Sequence, residues 1–81
     1  MRLDKFLKVS RILKRRTVAN EACEGQRVTV NGKTAKPAHT LKPGDIVSIR
    51  FGDRQLTIRV LELAQHVKKE QADGMYEVIS Q

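Results

Sequence analysis

Seven basic side chains crowd the first twenty residues: Arg2, Lys5, Lys8, Arg11, Lys14, Arg15 and Arg16. A single acid, Asp4, stands among them. Guanidinium and ammonium groups at this density do one kind of chemistry well. They neutralise and hydrogen-bond an anion, Arg through a planar fork of donors and Lys as a mobile point charge. The charge is also local: residues 1–20 carry +6 of the chain's net +7. Residues 21–45 hold four bases and three acids, and residues 46–81 hold five of each. Such a patch is the electrostatic footprint of a polyanionic partner. Lys33 and Lys36, outside the cluster, are secondary candidates for phosphate contact.

Other chemistries have little to stand on. The sequence has no Gly-rich phosphate loop, no HExxH and no CxxC. Cys23 is the only cysteine and cannot close an internal disulfide; with His39 and His66 it makes no metal-ligand spacing. Ser10, Thr17 and the histidines form no nucleophile–base set at sequence level. A chain of 81 residues has room for one domain and a modest core, and rarely encloses a catalytic pocket. The expectation is a protein that is not an enzyme and uses no metal or cofactor. No apolar run approaches the ~20 residues of a membrane span. Lys8 and Arg11 interrupt the apolar stretch that a secretory signal requires, so a cytoplasmic location is expected.

Aromatic residues are few: Phe6, Phe51 and Tyr76. Single-strand binders stack bases on exposed aromatic platforms, and Phe6 and Phe51 fall on predicted core faces. The composition favours phosphate contacts and shape reading, which suits folded RNA. A basic helix docked in a DNA major groove is the competing reading.

The elements that must position these bases follow from periodicity. At about 100° per residue, Leu3, Phe6, Leu7 and Ser10 share one face of a first helix, with Arg2, Lys5, Lys8 and Val9 opposite. Asp4 reads as an early cap or first-turn acid. "RILKRR" breaks the period and reads as a connection. A second helix is predicted over 14–24, with Gly25 at its C-terminal glycine position. Val18, Ala19, Ala22 and Cys23 form its apolar stripe, and Arg15 lies close enough to that stripe for its stem to pack. Bases at the start and Glu21 and Glu24 near the end reverse the charge order that a helix dipole prefers. The reversal makes sense if an anion binds at the helix start, beside Arg15 and Arg16.

The remainder reads as strands. Asn31-Gly32 is a strong hairpin signal, because a type I′ turn needs positive φ at both central residues. "KPGD" (42–45) and "GDR" (52–54) are further turns, with Asp45 a turn residue. Val47, Ile49 and Phe51 alternate with Ser48 and Arg50; Leu56, Ile58 and Val60 share a face; "MYEVIS" reads as a last strand. Residues 64–74 read as a polar loop with at most a helical turn. The predicted class is α+β: two N-terminal helices packed on a small twisted antiparallel sheet.

Arg2, Leu3, Asp4, Lys5, Ser10, Arg11, Gly25, Val28, Val30, Asn31, Gly32, Lys36, Pro37, Gly44 and Asp45 together resemble the S4 RNA-binding domain, named for the fourth small-subunit ribosomal protein. The resemblance implies the αL-type RNA-binding fold of that family, with a core motif over about 2–51 and C-terminal strands over 55–80 of one domain, 1–81. The start "MRLDKFLKVSRILKRRT" and the end "MYEVIS" further resemble a family of small RNA-binding factors of bacterial ribosome-associated quality control, related to heat-shock protein fifteen. The end at Gln81, without the longer basic extension of the heat-shock relatives, is expected for the quality-control branch. That resemblance implies large-subunit rRNA, P-site tRNA and the factor RqcH as partners, support of alanine tailing on obstructed large subunits, and a monomer when free. A targeting module of an RNA-modifying enzyme is the alternative that the S4 resemblance leaves open.

Overall fold

The computed structural model describes residues 1–63, 72 and 74–81. Two helices come first, α1 (Leu3–Val9) and α2 (Arg16–Glu24). Five strands follow: β1 (Val28–Val30), β2 (Lys33–Thr34), β3 (Ile46–Phe51), β4 (Arg54–Val60) and β5 (Tyr76–Ser80). They form one antiparallel sheet in the order β2-β1-β3-β4-β5. The α+β class and the two-helix, small-sheet layout expected from the sequence are both present. The loop expected over 64–74 lies, except for Ala72 and Gly74, outside the described residues.

Local chemistry accounts for the turns. Asn31 and Gly32 have φ of 53° and 85°, the left-handed pair a type I′ turn demands, and they join β1 to β2 through two residues. Asp45 locks the neighbouring turn: its carboxylate accepts from the Lys42 N–H at 2.9 Å and from Asn31 Nδ2 at 3.1 Å. Gly44, at φ 95°, lets the chain close from Lys42 to Asp45.

The core lies between the helices and one sheet face. Leu3, Phe6 and Leu7 enter it from α1, and Ala19, Ala22 and Cys23 from α2. Val28, Val30, Val47, Ile49, Ile58 and Val60 meet them from the sheet. Burying each large apolar side chain contributes about 1.5–3 kcal/mol relative to leaving it exposed. Seven residues are too few for a helix to persist alone, so α1 depends on this packing and on the loop that wraps its start. Leu3 N–H donates to His39 O (2.8 Å), Asp4 N–H to Pro37 O (3.1 Å), and Leu41 N–H to Met1 O (2.9 Å).

Several packing details depart from the periodic reading. The second helix begins at Arg16, not Lys14, and Arg15 is its extended N-cap. Val18 is 43% exposed and Phe51 41% exposed, because the helical layer does not reach over either. Val9 packs against the core instead of facing solvent beside Lys8, as do Ile12 and Leu13 of the connection. Leu56 is only half-buried. Gly25 has φ −80°; the left-handed residue that ends α2 is Gln26, at φ 61°. Gln26 N–H donates to Cys23 O and Arg27 N–H to Ala22 O, the paired bonds of a Schellman motif. Gly25 serves a different need, since a Cβ there would stand 3.2 Å from Glu21 O.

Candidate nucleic-acid interface

The helices distribute the N-terminal bases in two groups. The first is organised by Asp4, whose side chain is 3% exposed. Its Oδ1 accepts from Arg2 Nε (3.2 Å), Arg16 Nη2 (3.4 Å) and the Lys5 N–H (2.8 Å); its Oδ2 accepts from Arg2 Nη2 (3.2 Å). Burial pushes this carboxyl's pKa up, but the hydrogen bonds from Arg16 and Arg2, the Arg16 charge and the Lys5 N–H outweigh it. The net result lies below the ordinary aspartate value, so Asp4 is ionised at neutral pH. The arginines keep one edge in water, with side chains 49% and 47% exposed. Arg2, Arg16, Thr17 and Asn20 line one shallow hollow with Asp4 at its base. A buried carboxylate thus fixes two half-exposed guanidinium forks side by side, a geometry suited to phosphate oxygens.

The second group surrounds the end of α1. Lys8, Arg11 and Lys14 are exposed and line a separate hollow with Val9 and Leu13. Arg11 has φ 65°, at the position where a helix-ending glycine is usual. Its N–H donates to Lys8 O, and Leu13 N–H donates to Leu7 O. A non-glycine residue in this region carries a strain of order 1–2 kcal/mol, which here aims an Arg beside two lysines.

Arg15 is exposed and lines neither hollow; the packed stem expected of it is absent, because as N-cap it precedes the helical face. The α2 start has no side-chain cap and no acid in its first turn, so its charge order remains unfavourable in the folded chain. Lys5 is half-buried. Lys33 on β2 and Lys36 after it are exposed and belong to neither hollow.

Asp4 as an organiser was not legible in the sequence. The signal was a lone acid among seven bases, but its partner Arg16 stands twelve residues away. Cys23 is buried, and its thiol pKa is pushed up to about 11 by burial and then by the charges of Asp4 and Glu24, so it stays protonated at neutral pH. Among the described residues no group of three or more His, Cys, Asp or Glu is placed to hold a metal ion. No helix among them is long and apolar enough to cross a membrane.

The S4 domain family model matches residues 1–47. The chain is 57% identical to the RQC P-site tRNA stabilizing factor of Streptococcus pneumoniae over 81 residues, covering all of this chain and 92% of that one. It is 48% identical to the factor of the same name from Bacillus subtilis, covering all of this chain and 94% of the other. Among solved structures, the trimeric heat shock protein 15 of Vibrio cholerae superposes with a TM-score of 0.90 at 30% identity, over 99% of this chain and 82% of that one.

Proposed function

From the family of RQC P-site tRNA stabilizing factors, the S4-domain proteins to which this chain belongs, we propose its role: a non-catalytic RNA clamp of ribosome-associated quality control. It binds large ribosomal subunits obstructed by a nascent chain, contacts large-subunit rRNA and the P-site tRNA together, and supports alanine tailing by RqcH. A factor with this role works in the cytoplasm, and the free chain is a monomer. The observation that carries the reading is the Arg2–Asp4–Arg16 cluster, two forked cations fixed at the surface of an RNA-binding domain.

The RNA-facing residues are Arg2, Lys5, Lys8, Arg11, Lys14, Arg15 and Arg16, with Lys33 and Lys36 at the margin. Holding a tRNA in place promotes repeated elongation through positioning alone, with no chemical group supplied. Neutralising several phosphates makes affinity fall with salt by roughly 0.7–0.9 log units per log unit of salt for each contact.

The test is reconstitution with obstructed large subunits, RqcH and alanyl-tRNA. Tail extension is expected to need this protein and to fail with Arg2→Ala or Arg16→Ala. Normal tailing without it overturns the reading. Light scattering checks the monomer; a trimer like that of the Vibrio relative would revise it.

A further inference from the structure

The sheet has a second face, turned away from the helices. The pairings Val28↔Ile49 and Phe51↔Arg54 bracket a row in which Arg27 of the chain entering β1, Arg50 of β3 and Gln55 of β4 stand side by side. Arg50 N–H donates to Arg27 O at 2.9 Å, so the two arginines are direct cross-strand neighbours. Two residues along the strands, Thr29, Ser48 and Thr57 form a parallel row, with Ser48 Oγ and Thr57 Oγ1 2.9 Å apart. Gln26, Arg27, Thr29, Ser48, Arg50 and Gln55 line one small hollow, and none of them is an acid.

Stability does not explain this arrangement. Like charges directly opposite on adjacent strands are destabilising, and neither Arg27 nor Arg50 has an ion-pair partner among the described residues. Elsewhere on the sheet the opposite choice is made: Arg59 faces Glu77 across β4 and β5, paired at 2.6 Å. An anion between Arg27 and Arg50 turns their repulsion into attraction. The hydroxyl and amide groups beside them add neutral donors, as a sugar–phosphate strand requires.

We propose that this outer face is a second RNA-backbone surface, with Arg27 and Arg50 gripping a phosphate and Thr29, Ser48, Thr57 and Gln55 bonding the adjoining sugar–phosphate. The proposal rests on the RNA-clamp reading and gives the clamp a second jaw, separated from the Arg2–Asp4–Arg16 cluster by the core.

The experiment measures binding of the full chain to a fluorescently labelled tRNA transcript by anisotropy across a salt series. Variants are Arg27→Gln/Arg50→Gln, Arg2→Ala/Arg16→Ala, all four changes together, and Arg59→Gln. The Arg27→Gln/Arg50→Gln variant is expected to bind about tenfold more weakly, with a salt slope shallower by roughly 1.4–1.8 for two lost phosphate contacts. Its urea midpoint is expected to be unchanged or higher, since a repulsion is removed. Arg59→Gln is expected to keep the parent slope. The fourfold variant is expected to lose both effects additively, as independent sites do. If the parent and Arg2→Ala/Arg16→Ala differ in binding but Arg27→Gln/Arg50→Gln matches the parent, the second surface is overturned and the clamp reading stands. A lowered urea midpoint in that variant also overturns it, by making the pair structural. A parent that binds no RNA overturns the clamp reading itself.

Discussion

Arg2 with Arg16 and Arg27 with Arg50 are two arginine pairs built on opposite principles. The first pair converges on a buried carboxylate that both side chains touch. The second pair meets across a strand boundary with no acid between. In the first, the protein has supplied the counter-charge, so the forks are aligned before any ligand arrives. In the second, the counter-charge is left to the partner. The difference bears on how each binds. A prealigned pair loses less side-chain freedom on binding, whereas an uncompensated pair presents a stronger field and costs the free protein some stability.

The largest effect is expected where the first pair loses its anchor. Asp4→Ala should lower stability by about 1.5–3 kcal/mol through lost charge-assisted hydrogen bonds, read as a fall in the urea midpoint, and should weaken RNA binding although no base is removed. Retained binding would show that Asp4 does not organise the arginines. Acid offers the same test without a deletion. Because the folded carboxyl lies below its ordinary pKa of 3.8, its stabilisation is fully present above that value. It is lost as pH falls through the lower folded value. Asp4→Asn should abolish that part of the acid limb of the stability–pH curve; an unaltered limb would place the linkage elsewhere.

Arg11→Gly separates strain from binding. Relieving the left-handed arginine should stabilise the fold by about 1 kcal/mol, while tRNA affinity falls through the lost cation. A variant that gains stability and keeps full affinity would remove Arg11 from the interface. The smallest stability effect is expected for Arg16→Ala. Its ion pair is half-exposed and long, so the unfolding midpoint should drop by no more than about 1 kcal/mol, whereas RNA binding drops clearly. A loss of stability as large as that of Asp4→Ala would make the cluster a structural device first.

What could be read from the sequence was what neighbours decide. Asn31-Gly32 announces its turn because positive φ is a property of those residues themselves. The alternation around Val47 and Ile49 and the phase of Leu3, Phe6 and Leu7 report faces, since a strand or helix has a fixed period. The concentration of charge at the N-terminal end is a count. Period assigns a face but not the extent of what covers it. Val18 and Phe51 therefore emerged exposed where the helical layer stops, while Val9 and Leu13 were drawn in. The Arg2–Asp4–Arg16 cluster depends on α2 docking beside α1, and the meeting of Arg27 with Arg50 depends on the register of β1 against β3. Both join residues far apart in the chain. Only the packed core fixes those distances, because no local preference reaches across the loops between them.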